Sequence, residues 1–257
     1  MNEFEPVNQI KLFGLDKFIK EFIELDKKKI LPNKILLSGQ KGLGKSTLAY
    51  HLINYCLSKK EDFSYNINKF EINPENHSYK TVLNKSNPNL IIIDIDQEKK
   101  TIDISQIRQL IFNLTRSSFN NKPRFVLIDN IEFLNVNSIN ALLKVLEEPT
   151  INVYFILVNN NKRVLPTLLS RCINFKINLS NHECLSISEK LLDSQLTKKI
   201  NKDLINYYST PGNIYNLYMF GQSNKYDLIN TNLKQFLKDI IHNNYYKKEC
   251  SIRYLIY

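Results

Sequence analysis

Hydrophobic residues gather in five short runs, and the stretches between them have apolar positions at helical spacing. The first, third and fourth runs are almost continuously apolar, which is typical of strands covered on both faces. The five predicted strands are residues 33–38, 90–95, 124–129, 153–158 and 173–177, and the predicted intervening helices are 45–57, 104–115 and 137–148. This alternation favours an α/β fold with a parallel sheet and helices on both faces.

Strand patterns stop after about residue 178, and helical patterns continue to the last residue. We therefore expect an α/β domain at residues 1–177, a small helical domain at 178–220 and a C-terminal helical segment at 221–257. The stretch 58–90 is polar and rich in Asn, and no element is predicted there. No apolar run approaches the roughly 20 residues of a membrane span, and the first residues do not resemble a secretory signal, so a cytoplasmic location is expected.

Charge and cysteine content change this picture little. The formal charge of +10 suits a polyanionic partner, but Lys, Asn and Ile are all abundant and share A/T-rich codons, so charge alone leaves nucleic-acid contact open. The four cysteines are Cys56, Cys172, Cys184 and Cys250. None has C-x-x-C spacing, so no zinc site is predicted and reduced, mostly buried thiols are expected.

The strongest local motif is the segment GQKGLGKST, which runs from Gly39 to Thr47. It fits G-x-x-x-x-G-K-[ST] and lies between a predicted strand and a predicted helix, which is the context this phosphate-binding loop requires. Glycines at 39, 42 and 44 let backbone N–H groups curl round an anion, and the helix N-terminus adds partial positive charge. Lys45 can reach the β- and γ-phosphates and the Ser46 hydroxyl can ligate Mg²⁺, so ATP and Mg²⁺ are the expected ligands.

Such a loop works with an acid at the end of a second strand, and two candidates compete. Asp94 ends the segment LIIID and Asp129 ends the segment RFVLID. The spacing alone does not decide between them.

The sequence beyond Asp129 carries a family resemblance. Residues 140–149 read NALLKVLEEP and residues 165–172 read LPTLLSRC. Both segments resemble the bacterial clamp-loader family, and the resemblance covers roughly residues 10–177. It implies an AAA+ P-loop fold with a five-stranded parallel sheet, followed by one or more small helical domains. It also implies that Asp129 is the Walker B acid that helps to hold Mg²⁺, which leaves Asp94 as a structural or surface residue.

The same resemblance implies roles for three further residues. Arg171, in the Ser-Arg-Cys element, matches an arginine finger that acts on the γ-phosphate in an adjacent motor subunit. The alternative is an Arg that pairs with Glu147 or Glu148 of its own chain. Asn159 or Asn160 matches a polar sensor near the nucleotide, although an Asn in a turn is equally ordinary.

Three departures from the family's motor subunits indicate the delta-prime type of subunit. Motor subunits have Glu directly after the Walker B Asp, whereas this chain has Asn130, which cannot accept a proton from water. They also have a four-cysteine zinc module between the loop and Walker B, where this chain has only Cys56. The second-sensor Arg of the family is missing from residues 209–215. The retained Ser-Arg-Cys element argues against the delta type.

The resemblance therefore implies a subunit of the DNA polymerase III holoenzyme whose own ATPase activity is weak or absent. The implied partners are the motor (gamma/tau) and delta subunits, the sliding clamp and, indirectly, primer–template DNA, without a membrane. A shortened helical collar is expected at residues 221–257. An active motor subunit is the first alternative, and a P-loop kinase of a small molecule is the second.

Overall fold

The computed structural model describes residues 5–95, 99–116, 120–147, 152–160 and 165–245. The chain divides into two compact units, one made of Met1–Gln40 with Lys45–Ile177 and one made of Lys41–Gly44 with Asn178–Tyr257. Among the described residues, no helix is long and apolar enough to cross a membrane.

A five-stranded parallel sheet forms the centre of the first unit. Its strands are β1 (Lys34–Ser38), β2 (Leu90–Ile93), β3 (Arg124–Ile128), β4 (Val153–Asn159) and β5 (Ile173–Lys176), in the order β2-β3-β4-β1-β5. Every pair is parallel. The predicted parallel sheet is therefore confirmed, and the predicted strand ends differ from the observed ones by two residues or fewer.

The helices of the first unit connect these strands. They are α1 (Asp16–Lys27), α2 (Lys45–Ser58), α3 (His77–Leu83), α4 (Ile104–Thr115), α5 (Val136–Glu147) and the one-turn α6 (Pro166–Leu169). The three predicted helices correspond to α2, α4 and α5. Helices α1 and α3 were not predicted, although α1 buries Phe18, Ile19, Phe22 and Ile23 at helical spacing.

The main core lies where α4 and α5 pack on β2, β3 and β4. Ile107, Leu142 and Phe155 are among its fully or almost fully buried members. Burying a side chain of this size contributes about 1.5–3 kcal/mol. The continuous apolar runs of the sequence are thus strands buried inside the sheet, whereas the edge strand β5 leaves Ile173 56% exposed.

One buried histidine in this unit makes the stability of the fold depend on pH. His51 in α2 is 0% exposed, and its ring nitrogens contact the Tyr65 hydroxyl at 2.9 Å and the Gln9 carbonyl at 3.0 Å. The Gln9 carbonyl can only accept, so the Nε2–H donates to it and Nδ1 accepts from Tyr65. Burial lowers the pKa of His51 from 6.5 to about 4.

We expect acid to destabilise the protein through this residue. Below pH 6.5 the unfolded state binds the proton more readily, so stability is lost as the pH falls from about 6.5 towards 4, by about 3 kcal/mol at most. The melting temperature should fall less steeply between pH 7 and pH 4.5 in His51→Gln than in the unchanged protein. The control is His77→Gln, which replaces an exposed histidine. If the melting temperature falls equally steeply in the unchanged protein and in both variants, His51 is not the residue responsible.

The described part of the second unit, residues 178–245 together with Lys41–Gly44, contains helices joined by turns and has no strand. It contains α7 (Asn181–Leu191), α8 (Lys202–Ile205), α9 (Pro211–Asn224) and α10 (Leu233–His242). Its core joins Leu217 and Phe220 of α9 to Phe236 and Ile240 of α10. This core contains residues on both sides of position 220, where the sequence predicts a domain boundary.

Residues Lys41–Gly44 belong to this second unit because they pack on the start of α9. The Gly212 N–H donates to the Gly42 carbonyl at 2.9 Å. A Cβ atom on Gly212 would lie 2.7 Å from the Gly42 Cα, closer than real Cβ atoms come to a backbone. The stretch 209–215, where motor subunits of the resembled family have an Arg, therefore presents a glycine backbone to the loop.

Candidate nucleotide-binding site

The predicted phosphate loop connects β1 to α2. Gly42 has a φ of 86° and Gly44 a φ of 79°, a conformation that residues with a Cβ rarely adopt. The glycines at these positions are therefore required by the backbone. A loop of this kind, followed at once by a helix N-terminus, suits an anion.

Lys45 is the first residue of α2, and its ammonium lies inside the loop. Its Nζ donates to the carbonyls of Gly39 at 2.9 Å and Gln40 at 2.5 Å, and the residue is only 2% exposed. The loop thus contains a buried positive charge that is held by backbone oxygens. Phosphate oxygens can accept hydrogen bonds from this ammonium as the carbonyl oxygens do, and they also carry negative charge, which makes those bonds stronger.

Ser46 and Asp129 come together although they are far apart in the chain. Asp129 directly follows β3, and its Oδ2 accepts a hydrogen bond from the Ser46 hydroxyl at 2.5 Å. Burial raises the pKa of Asp129 and nearby Asp94 adds to the effect, while the bond from Ser46 opposes it. A hydroxyl and a carboxylate are ligands that Mg²⁺ prefers, so these two residues fit a nucleotide-bound magnesium ion.

Asp94 lies closer to this site than the sequence indicates. It follows β2, which is the neighbour of β3, and its carboxylate is exposed. Its Oδ1 accepts hydrogen bonds from the Asn130 side-chain amide at 2.7 Å and from the backbone of Ile95 at 2.7 Å. Asp94 is thus a surface residue, but one bonded to the residue that follows Asp129.

Asn130 occupies the position that holds Glu in motor subunits of the resembled family. Its backbone is left-handed, with φ 54° and ψ 46°, and its N–H donates to Asp129 Oδ1 at 2.8 Å. Its side-chain oxygen accepts from the Asn160 amide at 2.8 Å. Both ends of the Asn130 amide are therefore engaged.

The two candidate sensors take different positions. Asn159 is the last residue of β4, is 2% exposed and is the register partner of Ser38 in β1. Asn160 lies beyond the strand, where its side chain bonds to Asn130 and its N–H donates to Glu132 Oε2 at 3.1 Å. Through these bonds Asn160 is connected to the residues around Asp129.

Arg171 lies in the turn between α6 and β5 and bonds within its own chain. Its Nε donates to Glu147 Oε1 at 3.0 Å, its Nη2 contacts the same oxygen, and its Nη1 donates to the Thr167 carbonyl at 3.0 Å. The side chains of Arg171 and Glu147 are 29% and 55% exposed. Such an exposed pair contributes only about 0–1 kcal/mol, so another anion can replace Glu147 at small cost. Glu148 and Pro149 lie outside the described residues.

The described cysteines are free and buried: Cys56, Cys172 and Cys184. Burial raises the pKa of the Cys56 thiol to about 12, so this thiol is inert at neutral pH. In the described ranges, no three His, Cys, Asp or Glu side chains cluster as metal ligands. Cys250 lies outside those ranges.

A phosphate loop between β1 and α2, an acid after β3 and the sheet order β5-β1-β4-β3-β2 define an AAA+ type α/β fold. The family model described as "DNA polymerase III, delta subunit" matches residues 14–181, and the chain belongs to that family.

Curated relatives include both gamma and delta' subunits. The DNA polymerase III subunit gamma of Buchnera aphidicola subsp. Schizaphis graminum is 32% identical over 58% of this chain and 39% of its own length. The delta' subunit of Pseudomonas aeruginosa is 29% identical over 54% of this chain and 40% of its own. The chain thus spans about two fifths of the length of these relatives.

Solved structures give weaker similarities. A gamma subunit-related protein of DNA polymerase III from Thermotoga maritima is 19% identical, with a TM-score of 0.43, over 80% of this chain and 56% of that chain. The RuvB Holliday junction branch migration motor of the same organism is 18% identical, with a TM-score of 0.47, over 92% of this chain and 72% of that chain.

Proposed function

We propose that this chain is a delta-prime-like subunit of the DNA polymerase III clamp loader. It binds Mg²⁺ and ATP, hydrolyses ATP slowly, and supplies Arg171 to the nucleotide site of an adjacent motor subunit. In that role it helps to place the sliding clamp on primed DNA, with the motor (gamma/tau) and delta subunits as partners. Family membership and the names of the relatives support the proposal that the chain belongs to the clamp loader. The chemistry of the site supports the proposal that the chain binds ATP but hydrolyses it slowly. The cytoplasmic location and the domain boundary at residue 220 stay predictions.

The observation that carries the proposal is a complete phosphate loop beside an amide at position 130. Lys45, Ser46 and Asp129 are the residues that would hold the phosphates and Mg²⁺, and bound Mg²⁺ would neutralise charge on the β- and γ-phosphates. The Asn130 amide has no basic lone pair for the proton of an attacking water, and both of its ends are engaged. This arrangement favours binding without rapid hydrolysis.

An active motor subunit is the second candidate, because a gamma subunit is among the relatives at 32% identity. The two candidates share the fold and the loop, so the comparisons do not separate them. They differ in one measurable property, which is the rate at which the chain hydrolyses ATP by itself.

Calorimetry and turnover on the purified chain test the proposal. We expect measurable affinity for ATP with Mg²⁺ and a turnover well below the roughly 1–10³ s⁻¹ of typical enzymes. A turnover inside that range favours an active motor subunit. If calorimetry shows no binding, the proposal that the chain binds Mg²⁺ and ATP is overturned. The assembly is tested separately by purifying the tagged chain from its host, where motor and delta subunits should come with it.

Replacing Asp129 should remove the Mg²⁺ dependence of nucleotide affinity. Asp129→Ala takes away the carboxylate that bonds to Ser46, whereas Asp94→Ala takes away an exposed carboxylate that bonds to Asn130. We expect affinities measured with and without Mg²⁺ to converge in the first variant and to stay apart in the second. The reverse pattern would mean that Asp94 is the metal-holding acid.

A further inference from the structure

A hollow of about 430 Å³ lies near the amino ends of strands β1 and β4, whereas the phosphate loop lies at the carboxyl end of β1. Three parts of the first unit line this hollow: the end of α1 with the residues that follow, the last turn of α2 with the residue just beyond, and the second residue of β4. Helix α2 has 14 residues and begins at the loop, so the hollow and the loop are roughly 20 Å apart. The hollow is therefore separate from the candidate nucleotide site.

The lining of the hollow carries a net positive charge, because three lysines face one aspartate. The aspartate is Asp26, whose Oδ2 accepts from the Lys59 ammonium at 2.5 Å and from the Tyr55 hydroxyl at 3.0 Å. Lys27 and Lys29 are exposed, and neither makes an ion pair with a carboxylate among the described residues. Two positive charges thus stay available to a ligand.

The exposed charges close to these residues in sequence balance one another: Lys28 and Lys60 against Glu24 and Asp62. The excess of positive charge is therefore concentrated in the hollow itself. The hollow also offers apolar surface, since half-buried Leu31 and Tyr154 line it and the methylene stems of the lysines add to them.

We infer that this hollow binds an acidic segment of a partner protein. An apolar side chain of the segment enters the hollow beside Leu31 and Tyr154, and carboxylates on either side of it meet the ammonium groups of Lys27 and Lys29. Charge complementarity selects an acidic partner, and the apolar lining selects a segment that also carries a hydrophobic side chain. The inference goes beyond the proposed function and does not depend on the nucleotide site.

The aromatic rings argue against a nucleic acid as the ligand. Proteins bind single strands by stacking bases on exposed aromatic rings along a basic groove. Here Tyr55 is only 6% exposed, and the Lys59 ammonium lies 5.1 Å from its ring centroid. Tyr154 is stacked on Phe125, with ring centroids 5.3 Å apart. Both rings therefore already have partners, and the lining is a single hollow rather than a groove.

The competing explanation is that the lysines serve the helices alone. Lys27 lies in the last turn of α1 and Lys59 directly follows α2, where a positive charge favours the helix dipole. Lys29 lies beyond the helix, with a left-handed φ of 59°. An explanation from helix dipoles requires no ligand, so a binding measurement separates the two.

The test is fluorescence anisotropy with the full-length chain, without ATP, and a labelled peptide in which one Phe lies between two pairs of Glu. We expect saturable binding below about 1 mM peptide, weakened when salt rises from about 50 mM to about 300 mM. The same peptide with Ala in place of Phe should bind at least about threefold more weakly, because less apolar surface is buried.

Removing the two available charges in Lys27→Gln with Lys29→Gln should weaken binding of the Phe peptide by about 3–30-fold, the effect of two exposed ion pairs. The matched control is Lys69→Gln with Lys85→Gln, which removes the same charge from exposed positions outside the hollow. Lys85 also shares the left-handed backbone of Lys29, with a φ of 54°. Melting temperatures confirm that both variants fold.

Three results overturn the inference: no saturable binding of the Phe peptide, equal weakening in the two lysine variants, or equal binding of the Phe and Ala peptides. A strand of twelve thymidine nucleotides is the further probe. If it binds more tightly than the Phe peptide and loses affinity in Lys27→Gln with Lys29→Gln, the hollow is a nucleic-acid site and the acidic partner is overturned. None of these outcomes depends on whether the chain binds ATP, so failure of the proposed function is detected separately.

Discussion

Replacing Arg171 with Ala is expected to lower ATP hydrolysis by the neighbouring motor subunits in the reconstituted complex. A guanidinium is always charged, and its planar fork can bind two phosphate oxygens at once. Arginine fingers in GTPases contribute roughly 10³–10⁵ in rate, and we expect a loss of at least about tenfold here. The measurement is the ATPase rate stimulated by DNA and clamp, with the same amount of complex assembled from each variant.

The same substitution should hardly change the stability of the chain itself. Arg171 pairs with Glu147 at an exposed position, and such pairs contribute about 0–1 kcal/mol. For a chain of this size that corresponds to a shift of a few degrees at most in the melting temperature.

Glu147→Gln is the matched control, because it removes the pairing carboxylate and keeps the guanidinium. We expect this variant to keep the stimulated ATPase rate. An unchanged rate in Arg171→Ala, together with a fall of many degrees in melting temperature, would make Arg171 a structural residue of its own chain.

Replacing Lys45 with Ala is expected to weaken the binding of Mg²⁺ and ATP by about 10²–10⁴-fold. The ammonium makes two hydrogen bonds inside the loop, to the carbonyls of Gly39 and Gln40. If phosphate oxygens take over two such bonds, each is a charge-assisted bond of about 1.5–3 kcal/mol. Every 1.4 kcal/mol corresponds to about tenfold in affinity. Calorimetry with ATP and Mg²⁺ measures the change directly.

Lys41→Ala provides the control, since Lys41 belongs to the same loop but is exposed. It removes the same charge from the protein without touching the buried ammonium, so its affinity should stay within a few-fold of the unchanged chain. If Lys45→Ala binds as well as Lys41→Ala, the loop is not the phosphate site.

The sequence predicts those parts of the fold that depend on patterns within a short stretch of consecutive residues. Continuous apolar runs predict β1, β3 and β4 because a buried parallel strand has no polar face to reveal a period. The loop before Lys45 is likewise a local pattern with a fixed backbone requirement. Helix α1 is not among the predicted elements, although its buried residues have helical spacing, and α3 is short and lies in a polar stretch.

The parts that could not be predicted depend on which strands become neighbours. Asp94 and Asn130 are far apart in sequence, and only the pairing of β2 with β3 brings them together. The close approach of Gly212 to Gly42 could not be predicted either. A glycine in the sequence indicates a flexible backbone, but it does not indicate which other part of the backbone packs against it. For Arg171 the sequence supplied two competing interpretations, and the bond to Glu147 is the one present within the chain.

The left-handed backbone at Asn130 limits which residues this position accepts. At φ 54° and ψ 46° an Asn is tolerated far better than a Glu, which is disfavoured there by about 1–2 kcal/mol. A Glu at this position would also bring a second negative charge next to Asp94, whose carboxylate accepts a hydrogen bond from the Asn130 amide. The local backbone and the neighbouring charge therefore both favour the amide over an acid, independently of any effect on ATP hydrolysis.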